Sequence, residues 1–149
     1  MKTRNTTWLA ALITVIALGS ALGIYLNAQS TAEFQANFTK AAVAEVRDGQ
    51  GTVVLRGDFV LAAEEDDDVE RKAALKAAGP DTDATGDAEV EFPKAGVVVQ
   101  EVEFSVKNLT PGGTYAFVID GNAVATKKTG SDGSASVDLK VKMPAAGAQ

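Results

Sequence analysis

VVQEVEFSV, residues 98–106, alternates apolar and polar side chains with a period of two. Successive side chains of an extended strand point to opposite sides, so this stretch has one apolar and one polar face. The apolar face holds Val98, Val102, Phe104 and Val106, and the polar face holds Glu101, Glu103 and Ser105. Such a pattern is typical of a strand that is buried on one face only.

The same alternation continues outward from this stretch in both directions. It recurs in residues 87–92 (DAEVEF), 114–120 and 134–143, and earlier in residues 53–61 and 34–38. The turn-forming pairs between these runs are Asp48-Gly49, Gly112-Gly113, Asp120-Gly121 and Asp132-Gly133. They favour tight turns, because glycine and aspartate tolerate positive φ. We therefore predict an all-β domain, an antiparallel β-sandwich of about seven or eight short strands.

The segment from residue 64 to residue 78 fits two kinds of secondary structure. Asp67 followed by Glu70, with Gly79-Pro80 beyond, is typical of a capped helix. The same residues also alternate between apolar and charged side chains, and they stand between two clear strands. We predict a charged loop over Glu64–Asp68, where five adjacent acids repel one another, followed by a strand from about Val69 to Ala77.

The N-terminal run WLAALITVIALGSALGIYL, residues 8–26, follows Lys2 and Arg4. A basic start followed by an apolar stretch is typical of an export signal, and 19 residues approach the roughly 20 that span a bilayer. The predicted helix is either a retained transmembrane anchor or a signal peptide that is cleaved after Ala28. The sequence thus predicts a helix within residues 1–28 and one exported domain over residues 29–149. That domain is anchored at the inner membrane facing outward, or periplasmic or secreted after cleavage.

Charge and cysteine content restrict the partners of the predicted exported domain. The whole chain has 14 basic and 20 acidic side chains, and residues 1–28 contain two of the basic ones and none of the acidic ones. The exported domain therefore has 12 basic and 20 acidic side chains, which give it a net charge of −8. A negative surface disfavours nucleic acid as a partner. The chain has no cysteine, so the domain is stabilised by apolar packing alone. This combination favours a bacterial envelope.

The sequence LTPGGTY, residues 109–115, resembles the corner of fibronectin type III domains. There a leucine, a proline-glycine turn and a tyrosine lead into the next strand. The resemblance implies a β-sandwich in which the Tyr115 hydroxyl bonds to backbone upstream and fixes the crossing between sheets. Tyr115 is then a residue of the fold rather than of a site.

Histidine and cysteine are both absent, which excludes Ser-His-Asp triads, Cys-His pairs and zinc-thiolate sites built from this chain. Asp81, Asp83, Thr85 and Asp87 place oxygen ligands at alternate positions, as in the first half of a calcium loop. The twelfth position of that loop is Phe92 rather than glutamate, so a solvated acidic turn is the alternative interpretation. The tripeptide Arg56-Gly57-Asp58 is predicted to lie within a strand, where an integrin-binding motif does not protrude.

We predict from these patterns a non-catalytic interaction or structural module of the envelope, without a cofactor. In one form it is an accessory subunit that is anchored beside a larger membrane assembly through its N-terminal helix. Its predicted partner is another protein or an envelope polymer. Two alternatives are a calcium-dependent adhesive or matrix domain and a small carboxylate-dependent hydrolase.

Overall fold

The computed structural model describes residues 35–64, 67–96 and 99–143, and within them the chain is all-β, as predicted. The nine strands of this part are β1 (Val43–Arg47), β2 (Val53–Asp58), β3 (Val60–Glu64), β4 (Asp68–Ala77), β5 (Thr85–Pro93), β6 (Val99–Lys107), β7 (Thr114–Ile119), β8 (Asn122–Lys128) and β9 (Ala135–Lys142). The helix predicted over residues 8–26 lies outside the described residues. None of the residues that are described belongs to a helix long and apolar enough to cross a membrane.

The strands form one antiparallel sheet with the order β8-β7-β1-β2-β4-β5-β6-β9. β3 lies outside this path and pairs with β4. The two end strands, β8 and β9, contact each other, so the sheet is nearly closed. This sandwich- or barrel-like curvature directs one face of every long strand inward, where the apolar side chains collect.

The core is built from the apolar positions of the alternating runs. Ala88, Val90 and Phe92 of β5 are buried, as are Val102 and Phe104 of β6. The rings of Phe104 on β6 and Phe117 on β7 meet edge to face with centroids 5.3 Å apart, although these two strands are not neighbours in the sheet. Contact between such distant strands shows that the sheet folds over one shared core.

β4 is a strand, which confirms the choice made between helix and strand for this segment. One edge of β4 pairs with β5 from Asp68 to Lys76, and the other edge pairs with β3 and β2. Ala73 and Leu75 are buried on the inner face. Tertiary pairing and burial outweigh the local helix signals, which contribute only fractions of a kilocalorie per residue.

The first strand is not where the sequence places it. The residues following Phe34 contribute a single parallel bridge between Gln35 and Lys142, and β1 runs instead from Val43 to Arg47. β1 lies between β2 and β7, and its outward Glu45 is only 7% exposed because Arg47 and Arg56 cover it. A strand that is buried on both faces does not alternate, so its sequence gives no period-two signal.

The run over residues 53–61 is divided into two strands, β2 and β3. This division and the additional strand β1 explain why the described residues form nine strands instead of the predicted seven or eight. The break falls at Phe59, whose amide donates a hydrogen bond to the Ala42 carbonyl at 2.8 Å. Leu55 and Phe59 are buried as predicted, but Leu61 beyond the break is 54% exposed. The predicted inward face therefore ends at Phe59.

The predicted hairpin loop at Asp120 and Gly121 is present, with Ile119 paired to Asn122. Both loop residues have positive φ, 48° and 82°, which suits the twist of a two-residue hairpin. The Asp120 carboxylate also accepts hydrogen bonds from the amides of Ala42 and Val43, the latter at 2.8 Å. This loop therefore holds the beginning of β1 in place.

Candidate functional site

The outer side of β4, β5, β6 and β9 carries a concentration of carboxylates that we call the acidic face. Its members are Glu70, Glu89, Glu91, Glu101, Glu103 and Asp138. The acids of β5, β6 and β9 face outward because Val90, Val102 and Val137, which alternate with them, are buried in the core. Glu70 lies on the same face because β4 pairs with β5 so that Glu70 is opposite Glu91.

Strand register brings like charges directly opposite one another on this face. Glu89 pairs with Glu103, and Glu91 pairs with Glu101, between β5 and β6. Glu91 is also opposite Glu70 on β4, and Glu103 is opposite Asp138 on β9. Directly opposed side chains have Cβ atoms about 4.5–5.5 Å apart, and like charges at this spacing destabilise a sheet by roughly 0.2–1 kcal/mol per pair.

Lysines neutralise only part of the acidic face. Lys72 forms ion pairs with Glu70 and with Glu89, the second at 3.3 Å. Lys140 lies 3.8 Å from Glu101. Within the part of the chain that the structure describes, Glu91, Glu103 and Asp138 form no ion pair within 4.0 Å. The centre of the face is thus left with uncompensated negative charge.

The proton affinities of the glutamates reflect this crowding. Partial removal from water raises the pKa of Glu91, and the nearby carboxylates of Asp68 and Glu101 raise it further. Partial burial likewise raises the pKa of Glu89, with a further contribution from its hydrogen bond with Glu70. The hydrogen bond from Lys72 lowers the pKa of Glu70. A cation that approached Glu89 and Glu91 would lower their raised pKa values, because an opposite charge favours the ionised carboxylate.

Glu101, Glu103 and Asp138 form a group of three acids in which one carboxylate oxygen of each lies within 4.8 Å of the others. Carboxylate oxygens are the ligand type that calcium and magnesium prefer. Glu101 and Glu103 were recognised in the sequence as the polar face of a strand, but Asp138 was not linked to them. The signal that unites the three is the β6–β9 register, which the sequence does not contain.

The predicted calcium residues lie elsewhere. Asp81 and Asp83 lie in the turn before β5, and Thr85 and Asp87 are exposed positions at the start of that strand. The Thr110 hydroxyl contacts the Asp81 carboxylate at 3.4 Å, and the Asn108 side chain donates to the Asp83 carbonyl at 3.0 Å. The cluster of three carboxylates on the acidic face shares no residue with this loop. Calcium binding by the loop stays a prediction.

Two further sequence motifs have structural positions. Arg56, Gly57 and Asp58 lie within β2, and Arg56 pairs with Glu45 at 2.6 Å, so the tripeptide does not protrude. The Tyr115 side chain is buried, and its hydroxyl accepts a hydrogen bond from the Thr110 amide at 3.2 Å. This is the upstream backbone contact that the predicted corner requires, so Tyr115 serves the fold.

Comparison with known proteins gives no relationship on which to base a function: no family model, curated protein or solved structure matches this chain.

Proposed function

We propose that this protein is a non-catalytic interaction module of the bacterial envelope that binds a basic surface of a partner protein through the acidic face. Its N-terminal segment anchors it in the membrane as an accessory subunit of a larger assembly or, after cleavage, releases it on the far side. The finer architecture that we propose is a β-sandwich behind this N-terminal helix.

The opposed glutamates carry this proposal. Glu89 with Glu103 and Glu91 with Glu101 repel one another across neighbouring strands, and an outward strand position accepts many uncharged polar residues at no such cost. The ion pairs of Lys72 with Glu89 and of Lys140 with Glu101 offset only part of this repulsion, so the charges of Glu91 and Glu103 cost the fold stability. A partner that presents lysine or arginine side chains gains from all of them, because complementary charge speeds encounter and selects against other surfaces.

The proposal is tested by gentle membrane extraction, chemical crosslinking and intact mass measurement of the recovered full chain. We expect a stoichiometric crosslinked protein. The double variant Glu103→Gln/Asp138→Asn should reduce its yield, whereas Asp58→Asn/Asp83→Asn, which removes the same charge from exposed positions elsewhere, should not. Equal yields from the two variants would contradict docking through the acidic face. A mass that begins at Gln29 and no crosslinked neighbour would contradict the anchored-subunit form.

A calcium-dependent adhesive domain is the second candidate, and the cluster of Glu101, Glu103 and Asp138 favours it. A ligand that binds only the folded state raises its stability. Added calcium at millimolar concentration should then raise the melting temperature of the full chain. If calcium no longer raises the melting temperature of Glu103→Gln/Asp138→Asn, the ion binds at the acidic face. If it no longer raises the melting temperature of Asp81→Asn/Asp83→Asn, the ion binds at the predicted loop. An unchanged melting temperature removes the calcium candidate.

A further inference from the structure

β3 is a short strand with one side open. It pairs with β4 from Val60 to Glu64, and among the described residues its other edge has no strand partner. Two of its apolar side chains are unusually exposed, Val60 by 62% and Leu61 by 54%. An open strand edge presents a row of backbone amide and carbonyl groups that can pair with another extended chain.

An acidic pocket adjoins this open edge. Its lining residues are Ala63, Asp68, Glu70 and Glu91, and its volume is about 190 Å³. Ala63 on β3 is opposite Glu70 on β4, which is opposite Glu91 on β5, so the three form one row across the sheet. Ala63, the residue of β3 opposite Glu70, presents only a methyl group, so Glu70 is accessible from the open edge.

We propose that β3 binds an extended segment of a basic partner protein by strand addition, with a lysine or arginine of that segment entering the Ala63–Glu70–Glu91 pocket. This inference rests on the proposed function and deepens it by naming the partner's binding mode. An added strand would lie about 4.8 Å from β3. From there a long basic side chain opposite Ala63 passes over the methyl group to meet Glu70.

Charge complementarity selects this occupant over a second copy of the same chain. β3 has the sequence VLAAE and carries no basic residue. Pairing of two β3 edges would bring no cation to Glu91, which has no ion pair within 4.0 Å among the described residues, and would bring two negatively charged domains together. Leu61, which pairs with Arg71 and therefore lies on the face opposite Ala63, would instead cover the apolar side chains of a foreign strand that alternates apolar and basic residues.

The test uses the full chain in detergent and a labelled, capped peptide that alternates valine and lysine, with binding followed by fluorescence anisotropy. We expect saturable binding that a matched valine-glutamate peptide lacks. Glu70→Gln/Glu91→Gln should weaken binding about tenfold, as expected for two or three partly exposed ion pairs. Asp83→Asn/Asp132→Asn carries the same charge change at exposed positions in turns away from β3 and should leave the affinity nearly unchanged.

A modified peptide and a protein variant separate strand addition from simple charge attraction. Methylation of alternate amides of the valine-lysine peptide removes the hydrogen-bond donors along one edge of that peptide. The substitution Ala63→Leu blocks the path from the open edge of β3 to Glu70. Each change should abolish most of the binding. If the methylated peptide binds as well as the parent, strand addition is wrong while docking on the acidic face stands. Absence of binding by the valine-lysine peptide overturns the inference, and so does a dimer of the chain that Leu61→Lys dissociates.

Discussion

Replacement of Gln100 tests how the N-terminal end of the described chain is held against the sheet. The Gln100 side chain is fully buried within β6. Its Oε1 accepts a hydrogen bond from the Phe38 amide at 2.6 Å, and its Nε2 donates one to the Ala36 carbonyl at 2.8 Å. These two bonds connect the segment before β1 to the beginning of β6, 62 and 64 residues away in sequence.

Gln100→Met keeps the size and shape of the side chain and removes both hydrogen bonds. Each buried bond contributes about 0.5–1.5 kcal/mol, so we expect a loss of about 1–3 kcal/mol in the free energy of unfolding. In a domain of this size such a loss lowers the melting temperature by roughly 5–15 °C. Urea denaturation followed by circular dichroism measures the free energy, and Gln50→Met, in the exposed β1–β2 turn, is the matched control.

Gln100→Glu gives an independent readout of the same contacts. A carboxylate still accepts from the Phe38 amide, but only its protonated form can donate to the Ala36 carbonyl. Burial raises the pKa of this carboxyl, so the stability of the variant is retained at low pH and is lost as pH rises through the raised value. A Gln100→Met protein within about 0.5 kcal/mol of the parent, or a Gln100→Glu protein without this pH dependence, would refute the reasoning.

Three further predictions concern single contacts. Glu91→Gln should stabilise the protein by roughly 0.2–1 kcal/mol at neutral pH. Because the folded-state pKa of Glu91 is raised, the parent protein loses stability as pH rises through that pKa, whereas the variant does not. In thermal melts the advantage of the variant should therefore vanish below about pH 4, where Glu91 is protonated in both states. Tyr115→Phe removes the hydrogen bond from the Thr110 amide and should cost about 0.5–1.5 kcal/mol in urea denaturation; an unchanged midpoint would remove Tyr115 from the corner. Gly133 has φ +73°, and a Cβ there would lie 2.2 Å from the Leu109 carbonyl oxygen, so Gly133→Ala should destabilise more than Gly51→Ala, whose positive φ comes without a clash.

The sequence predicts strands best where one face is buried and the other is in water. The runs that became β5, β6 and β9 alternate clearly, because their inner residues pack in the core and their outer residues are polar. β1 escaped detection because the Arg47 and Arg56 side chains cover its outer face as well. Leu61 was assigned to the core because alternation does not reveal the break at Phe59.

The acidic face shows the same division. Glu101 and Glu103 were identifiable as outward residues from their own strand alone, since period two is a local property. Their approach to Asp138 and Glu91 depends on which strands are neighbours and in which register they pair. Register is set by turns and by the packing of the whole core, so no local pattern contains it.

The sequence alone determined the all-β class, the hairpin turns and the inner and outer faces of the alternating strands β5, β6 and β9, because these follow from side-chain alternation and from residues that tolerate positive φ. The tertiary structure alone decided that β3 has an open edge and that the acidic pocket beside it opens toward that edge. The physical reason is that charge and exposure become properties of a surface only when separate strands are brought side by side.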